Sequence, residues 1–224
     1  MCYHYAIKTE KKTLEQKTNL LFEDNNSWKS TEKINCFTLP MLPVVLNEDK
    51  KQLKLLQWGL VPFWSKTSKL DVNLANAKCE DIFEKPSWKN PILNRRCLIP
   101  ATGFFEWKLE GKKKIPYFIY LPNQTLFYFG GIWDRWINNS TGETIESFSI
   151  ITTPANTLME EIHNTKKRMP LIISDHLASE WLINNTNKSE ISNLLVPYDS
   201  HLMRAEKTVE RPIKGDIPGT LTLF

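Results

Sequence analysis

Residues 97–133 read CLIPATGFFEWKLEGKKKIPYFIYLPNQTLFYFGGIW, and this stretch decides the fold. It is dense in aromatic and β-branched residues. Turn sequences interrupt it at residues 110–112 and 122–124, which is the pattern of successive strands. The strands predicted here and just beyond are Cys97–Ile99, Phe104–Leu109, Tyr117–Leu121, Phe127–Trp133 and Ser147–Thr152.

Outward from this centre the predicted elements are shorter and more mixed. They are a strand at Cys2–Ile7, a helix at Lys11–Phe22, a short helix or turn at Ala75–Phe83, a helix at Pro154–His163, a strand at Leu171–Ile173, helices near residues 174–184 and 189–195, and an extended tail at Met203–Val209. Thr153 is the expected cap of the helix that starts with Pro154. Sequential antiparallel strands with peripheral helices predict an α+β fold, a single domain over residues 1–224 with a central, mostly antiparallel β-sheet or open barrel.

The composition is that of a globular protein with a mild excess of positive charge. Hydrophobic residues make up 41% and charged residues 24% of the 224 residues, and the net charge is +4. This charge is compatible with nucleic acid binding without demonstrating it. The four cysteines and four histidines are scattered, with no C-x-x-C pair, so no metal site and no cofactor are expected. A secretory signal and a membrane-spanning stretch are not recognisable, so a cytoplasmic protein with free thiols and no membrane contact is expected.

Cys2 follows the initiator Met, so removal of Met1 leaves a cysteine with a free α-amine. That amine, with a pKa of about 7.7–8.0, is partly neutral at pH 7 and can attack an aldehyde. The neighbouring thiol can then close a five-membered thiazolidine ring. The ordinary interpretation, a residue of the first strand, is favoured by the N-terminus taken alone.

Two segments supply candidates for orienting a substrate and moving protons. Asn76 offers donors and an acceptor to a nucleophile or a sugar hydroxyl, and Lys78 suits a phosphate. A capped helix start with a solvated Lys78 is the ordinary alternative. On a strand, Glu106 points away from Phe105 and Trp107, and apolar surroundings raise the pKa of a carboxyl into the range of a general acid or base. The alternative is an exposed glutamate on the polar face of a strand.

His163 begins a segment that ends in a basic run. A histidine can shuttle protons near neutral pH, and the adjacent Lys166, Lys167 and Arg168 can hold phosphate. The alternative is a histidine that complements the end of a helix ahead of a solvated loop.

An aromatic loop at residues 58–64 is the last candidate. Trp58 opens it, and Pro62, Phe63 and Trp64 can wedge between unpaired bases or stack on them. Hydrophobic cover for the core explains the same residues equally well.

Taken together and in this order, these segments resemble the SOS response-associated peptidase family, the abasic-site processing proteins. The matching segments are Met1-Cys2, Trp58-Gly59-Leu60-Val61-Pro62 with Trp64, Asn76-Ala77-Lys78 with Glu80, Arg96–Ala101 with Gly103, Phe104, Glu106 and Trp107, and His163 with Arg168-Met169-Pro170. The resemblance runs from residue 2 to about residue 170, and its specificity lies in the ordered combination.

The resemblance implies a protein that crosslinks to abasic sites in single-stranded DNA through the mature Cys2. Asn76 would orient the Cys2 end and the opened sugar, Glu106 would handle protons in ring opening and imine formation, and His163 would assist proton transfer and crosslink reversal. The implied DNA contacts are His4, Trp58, Pro62, Trp64, Lys78, Lys166, Lys167 and Arg168. Autocatalytic removal of Met1, a lyase side activity and a role in the SOS response to DNA damage are also implied; removal of Met1 by an ordinary methionine aminopeptidase is the alternative. So is a monomer that joins the nucleoid and replication-fork proteins during damage.

The sequence departs from the family pattern at three places. Tyr3 and His4 follow Cys2 where the family usually has Gly and Arg, and Lys78 stands where Arg is common. The segment 164–167 is longer than the usual gap before Arg-Met-Pro. These departures concern DNA affinity more than chemistry, and the run from Lys166 to Arg168 is expected to compensate.

Two other functions compete with this one. The first is an N-terminal-nucleophile cysteine amidohydrolase, which needs the same exposed cysteine and a glycine-rich oxyanion loop; the chain has eight Gly and no convincing loop of that kind. The second is a noncatalytic binder of single-stranded DNA built on the tryptophan and basic loops.

Overall fold

The computed structural model describes residues 2–23, 28–184 and 187–208. The strands are β1 (His4–Ile7), β2 (Leu21–Phe22), β3 (Thr31–Asn35), β4 (Met41–Leu46), β5 (Gln52–Trp58), β6 (Asn76–Lys78), β7 (Arg96–Ala101), β8 (Gly103–Glu110), β9 (Lys113–Tyr120), β10 (Phe127–Ile137), β11 (Thr144–Pro154), β12 (Arg168–Pro170), β13 (Ile172–Ile173) and β14 (Arg204–Lys207). The helices are α1 (Lys11–Thr18), α2 (Lys89–Asn94), α3 (Thr157–Ile162), α4 (Asp175–Trp181) and α5 (Lys188–Leu194). Among these helices none combines the length and the apolar character that crossing a lipid bilayer requires.

Five strands close on themselves to form a barrel. The pairs β5–β4, β4–β7, β7–β10 and β10–β11 are antiparallel, and the parallel pair β11–β5 completes the ring with Phe148 opposite Trp58. The rings of Trp58 and Phe148 lie nearly parallel, with their centroids 6.2 Å apart. The predicted α+β fold with mostly antiparallel strands is confirmed, and the barrel is closed instead of open.

A second, five-stranded sheet packs beside the barrel in the order β14-β9-β8-β1-β3, with every neighbouring pair antiparallel. Tyr5 lies opposite Phe104, and Phe104 lies opposite Ile119, so these three buried side chains share the inner face. The Tyr5 ring meets Trp58 at 5.3 Å and Phe129 at 5.6 Å between centroids. These edge-to-face contacts join the second sheet to the barrel.

The segment predicted as a short helix or turn at Ala75–Phe83 is wrong at its start. Asn76–Lys78 forms β6, which runs parallel to β11 with Asn76 opposite Ile150, and only Cys79–Asp81 forms a turn of 3-10 helix. A three-residue strand whose partner lies more than 70 residues away leaves no local pattern to detect.

The helix predicted from Pro154 starts three residues later. β11 continues through Pro154, and α3 begins at Thr157. The side chain of Asn156 accepts a hydrogen bond of 2.9 Å from the Met159 amide, so Asn156 is the cap and Thr153 is not.

Three other boundaries move inward. The predicted helix Lys11–Phe22 ends at Thr18, because Asn19 adopts a left-handed conformation with φ of 55° and β2 follows. The first strand begins at His4, two residues later than predicted. The extended tail forms β14, while Val209 lies outside the described residues.

Candidate functional site

The pairing of β1 with β8 brings Cys2 beside Glu106. His4 lies opposite Phe105, and this antiparallel register carries residues 2–3 along residues 106–107. Cys2 is fully buried, and its Sγ lies 3.7 Å from the carbonyl oxygen of His4. Burial and, to a smaller degree, the negative charge of Glu106 raise the pKa of the Cys2 thiol well above its ordinary value. The thiol is therefore protonated at neutral pH.

Glu106 points inward from β8 because side chains alternate along a strand. Phe104 and Glu106 are buried, with Glu106 only 5% exposed, whereas Phe105 and Trp107 lie half-buried on the opposite face. Burial raises the pKa of the Glu106 carboxyl to about 7. At neutral pH this carboxyl is present in both protonation states, which suits a group that gives and takes protons.

His163 follows the last turn of α3, the helix that packs against β8. Its Nδ1 lies 2.8 Å from the carbonyl oxygen of Arg168. A carbonyl only accepts, so Nδ1 carries the hydrogen and Nε2 has the free lone pair in the neutral ring. Burial lowers the pKa of His163 to about 4, so the ring is neutral at pH 7.

Glu106 and His163 are neighbours that do not form an ion pair at neutral pH. Their closest atoms, Oε1 and Nδ1, are 3.7 Å apart, which is too long for a hydrogen bond, and the imidazole carries no charge. Cys2, Glu106 and His163 together are called the N-terminal site below. It brings together a thiol, a carboxyl poised near neutral pH and a neutral imidazole inside the protein.

Asn164 is a residue that the sequence analysis missed. Its side-chain amide donates to the Leu109 carbonyl at 2.9 Å and its oxygen accepts from the Leu109 amide at 3.0 Å. The Lys167 amide also donates to the carbonyl of His163 at 2.8 Å, and Lys167 has a left-handed φ of 48°. The longer segment 164–167 is thus a compact turn tied to the strand that carries Glu106. Its length was visible in the sequence, but the partner 55 residues away was not.

The side-chain amide of Asn76 is buried without hydrogen-bond partners among the described residues. It is 3% exposed, and neither Oδ1 nor Nδ2 has a hydrogen-bond partner among the described residues. An unsatisfied buried polar group costs about 1–3 kcal/mol, so such a side chain indicates a ligand. The described contacts link Asn76 to the N-terminal site through β11, which pairs with β6 on one side and with β12, the strand of Arg168, on the other.

The predicted DNA contacts divide by exposure. Lys78, Lys166 and Lys167 are exposed, and Trp64 is 52% exposed. Lys167 has an acidic neighbour, since its Nζ lies 3.9 Å from Glu160. These four side chains are accessible to a phosphate or a base.

Two predicted DNA contacts lie inside the protein. Trp58 is fully buried in the barrel, where its indole donates to the Ala75 carbonyl at 2.9 Å, and Pro62 is buried as well. Neither presents a surface on which a base can stack, so their predicted role is corrected to a structural one. Within the loop only Phe63, 50% exposed, and Trp64 reach solvent.

The guanidinium of Arg168 is largely engaged within the protein. It donates to Glu80 Oε1 and to Thr152, at 2.6 Å to the carbonyl and 3.0 Å to Oγ1. Burial is the largest single influence on Glu80 and opposes its ionisation, but the hydrogen bond and the charge of Arg168, together with hydrogen bonds from the Glu80 backbone and the Cys79 thiol, lower the pKa of Glu80 below its ordinary value. Only Nε of Arg168 has no hydrogen-bond partner among the described residues. Arg168 therefore orders the site more than it offers a free phosphate clamp.

Alternation along a strand would place His4 and Cys2, two residues apart, on one face, but they lie on different sides. The strand begins at His4, and Cys2 turns into the core ahead of it. The His4 ring is half-buried on the outer side, edge-on to Trp107 with centroids 4.9 Å apart.

Across the described residues, no three His, Cys, Asp or Glu side chains are grouped as a metal ion requires.

The chain is similar in sequence to proteins of one known family. The sequence model of the SOS response associated peptidase (SRAP) family matches residues 1–213. The abasic site processing protein YoqW of Bacillus subtilis is 41% identical over 167 residues, 74% of this chain and 73% of that protein. The abasic site processing protein HMCES of Gallus gallus is 29% identical over 199 residues, 78% of this chain and 58% of that protein.

Solved structures extend the likeness to the whole fold. A crystal structure of a Bacteroides thetaiotaomicron protein superposes with a TM-score of 0.86 at 36% identity, covering 92% of this chain and 91% of that one. A Bordetella bronchiseptica protein shares the fold at a TM-score of 0.76 and 20% identity, over 93% and 100% of the two chains. The ordered motifs, the closed barrel and the match over almost the full length lead to one conclusion: this chain belongs to the SOS response associated peptidase (SRAP) family.

Proposed function

We propose that this protein processes abasic sites in single-stranded DNA by forming a covalent thiazolidine crosslink through Cys2 after Met1 is removed. Family membership and the names of the curated relatives support abasic-site processing. The observation that carries the finer proposal is the buried Glu106 carboxyl, with a pKa of about 7, beside Cys2 and the neutral His163. Aldehyde capture by an amine needs proton transfers in both directions, and such a carboxyl supplies them.

The chemistry balances without a cofactor. The ring-opened abasic sugar exposes an aldehyde at C1′, and the neutral α-amine of Cys2 adds to this carbon. The hydroxyl of the resulting carbinolamine takes a proton from an acid and leaves as water, which gives an iminium ion whose nitrogen keeps one hydrogen of the former amine. The thiol gives its proton back to the same group and its sulfur bonds to the iminium carbon, so each crosslink releases one water and transfers no electrons.

Each buried group has a defined part in these steps. Protonated Glu106 donates a proton to the departing hydroxyl, and the carboxylate that results takes the proton of the Cys2 thiol. This second transfer is needed because burial keeps the thiol protonated. The free Nε2 of His163 accepts a proton during ring opening and reversal, and the unsatisfied amide of Asn76 binds sugar hydroxyls.

Further activities expected from the family are proposals of the same kind. The imine permits β-elimination of the 3′ phosphate, which is a lyase side activity. With Met1 in place the Cys2 nitrogen is an amide and not a nucleophile, so hydrolysis of the Met1–Cys2 bond, by the protein itself in our proposal, precedes crosslinking. The SOS damage response, the monomeric state, association with the nucleoid and replication-fork partners stay predictions.

The test is a denaturing gel of the protein with single-stranded DNA that carries one abasic site, together with intact mass of the free protein. We expect a shifted band that survives denaturant, from protein lacking Met1. Cys2→Ala abolishes the band, whereas Cys79→Ala, the same change at a half-buried cysteine, leaves it. A Cys2→Ala protein that crosslinks like the wild type overturns the mechanism.

The same preparation separates the two competing functions. Release of ammonia from glutamine, without a crosslinked band, identifies an amidohydrolase. Salt-dependent DNA binding with no preference for an abasic site and no crosslink identifies a noncatalytic binder.

A further inference from the structure

The outer face of the five-stranded sheet carries aromatic side chains that the N-terminal site does not use. Tyr5, Phe104 and Ile119 fill the inner face, so alternation turns the side chains between them outward. The outward-facing aromatic residues are Phe105 and Trp107 of β8 and Phe118 and Tyr120 of β9, and each is half-buried. These four are called the aromatic face below.

Three rings of the aromatic face, those of Phe105, Phe118 and Tyr120, lie in contact with one another in a row. Phe105 and Phe118 are cross-strand partners with centroids 5.0 Å apart, and Phe118 stacks on Tyr120 at 5.9 Å. Gly103 makes room for this arrangement, because a Cβ there would lie 2.2 Å from Cζ of Phe118. Cross-strand pairing stabilises the sheet, and the half-exposed rings grouped in this way also offer a surface to a ligand.

Lysines lie over these rings. Nζ of Lys8 is 4.2 Å from the centroid of Phe118, and Nζ of Lys33 is 5.7 Å from Phe105 and 5.4 Å from Trp107. An acidic side chain, that of Glu206, accepts a hydrogen bond of 2.6 Å from the Tyr120 hydroxyl at the outer edge of the face. Aromatic rings interleaved with lysines match a strand of stacked bases joined by phosphates.

The aromatic face begins at the N-terminal site. Trp107 follows Glu106 on β8 and meets the ring of His4, two residues after Cys2, at 4.9 Å. On the other side of Cys2, Tyr3 packs against Phe37, which is 48% exposed, at 5.1 Å. The aromatic face and the N-terminal site therefore meet at the start of β1 and the middle of β8, where Glu106 points inward and its neighbour Trp107 points outward.

We propose that the aromatic face binds the single-stranded DNA that flanks the abasic site on one side, by stacking its bases on Phe105, Trp107, Phe118 and Tyr120 while Lys8 and Lys33 contact its phosphates. The inference rests on the proposed function for the position of the abasic sugar. Beyond the crosslinking residues, it adds a binding surface that extends across four neighbouring strands, β3, β1, β8 and β9. The occupant is single-stranded DNA and not a second protein, because the ammonium groups of exposed Lys8 and half-buried Lys33 lie over the rings themselves.

Fluorescence anisotropy with a tetrahydrofuran analogue of the abasic sugar tests the proposal, since this analogue has no aldehyde and reports binding alone. Oligonucleotides are extended from about two to about ten nucleotides on the 5′ or the 3′ side. We expect affinity to rise with length on one side only. Phe118→Ala removes that gain and weakens binding of the long oligonucleotide about fivefold or more, with little effect on the short one. Ile137→Ala, an exposed apolar residue of β10, is the matched control and leaves binding unchanged.

A second variant guards against loss of fold in Phe118→Ala. Replacing both Lys8 and Lys33 with Gln changes no packed ring, and it makes the slope of log K against log salt less steep by about 1.4. Lys50→Gln with Lys51→Gln, two exposed lysines beside β5, is the control and keeps the wild-type slope. Equal affinity for long and short oligonucleotides overturns the proposal, as does wild-type behaviour of both variants.

The outcomes separate this proposal from the proposed function. Crosslinking of a short abasic oligonucleotide by Phe118→Ala at the wild-type rate, with loss of the length dependence, supports both. Length-dependent binding by a protein that never crosslinks supports the aromatic face and refutes the chemistry. Crosslinking without length dependence supports the proposed function and refutes DNA binding by the aromatic face. If Phe118→Ala lowers the unfolding temperature but leaves DNA binding unchanged, the rings serve only the packing of the protein, and the proposal is overturned.

Discussion

Glu106 and His163 have pKa values shifted in opposite directions by the same cause. Burial raises the pKa of Glu106 to about 7 and lowers that of His163 to about 4, because it penalises the charged form of each. For His163, the stability gained by keeping the ring neutral is present above its ordinary pKa of 6.5 and is lost as pH falls toward 4. For Glu106, stability is lost as pH rises from 4.5 through 7, because the carboxyl ionises in the unfolded chain over this range while the buried carboxyl resists ionisation.

Glu106→Gln is therefore expected to stabilise the protein in alkaline solution. The amide cannot ionise, so the variant gains on the order of 3 kcal/mol over the wild type at about pH 8.5, and the difference disappears near about pH 4. Urea unfolding of both proteins across this range measures it. The same variant crosslinks more slowly and loses the decline in rate that the wild type shows as pH rises through about 7.

The exposed Glu110 gives the matched control for that prediction. Glu110→Gln makes the same chemical change at the end of β8 and is expected to leave both profiles as they are. A stability difference for Glu106→Gln that does not vary with pH would contradict the raised pKa.

Among the structural elements, the turn at residues 163–167 holds the imidazole of His163 in its position beside the carboxyl of Glu106. Asn164 fastens this turn to β8 with two hydrogen bonds to Leu109. The Asn164 side chain lies at the edge of β8 beyond the end of β1. There it makes the two hydrogen bonds to the Leu109 backbone that a neighbouring strand would otherwise make.

Asn164→Ala is expected to slow crosslinking several-fold while lowering the free energy of unfolding by only about 1 kcal/mol. The reason is that the turn detaches while the barrel stays intact. Asn164→Asp keeps the acceptor for the Leu109 amide, so its crosslinking rate and its free energy of unfolding are expected to lie between those of the wild type and those of Asn164→Ala. Single-turnover gels and urea unfolding measure the effects, and Asn139→Ala in the exposed turn after β10 is the control. Unchanged kinetics in Asn164→Ala would show that the turn does not position His163.

The elements also show what the sequence could and could not predict. The alternation of β8 predicted the orientation of Glu106, because period-two patterning is local. β6 escaped prediction because its three residues form a strand only through the parallel contact with β11. The helix cap moved from Thr153 to Asn156 because β11 continues through Pro154, and pairing of that strand with β12 overrides the local preference for a helix.

At the scale of the whole molecule, two tryptophans of one loop have opposite roles. Trp58 stacks on Phe148 inside the barrel and holds Ala75, the residue before Asn76, whereas Trp64 is half exposed. Sequence spacing does not separate them, since only closure of the barrel fixes which ring is enclosed.

Trp58→Phe is expected to lower the free energy of unfolding by about 2 kcal/mol, through the lost hydrogen bond and the space left in the core. Trp64→Phe shifts it by less than about 0.5 kcal/mol. Denaturant unfolding measures both, and binding of the tetrahydrofuran oligonucleotide by folded Trp58→Phe stays at the wild-type level. A loss of DNA affinity in Trp58→Phe without a loss of stability would return Trp58 to the DNA surface.

The closed barrel has a consequence for the lifetime of any adduct that this protein forms. A protein joined to DNA leaves either by chemical reversal or by digestion, and a protease needs an extended segment to cut. Each of the five barrel strands has a hydrogen-bonded neighbour on both sides, so none peels away alone. Digestion of the barrel then requires global unfolding. The unfolding rate of the barrel, compared with the rate of chemical reversal, therefore determines whether the adduct is digested or released.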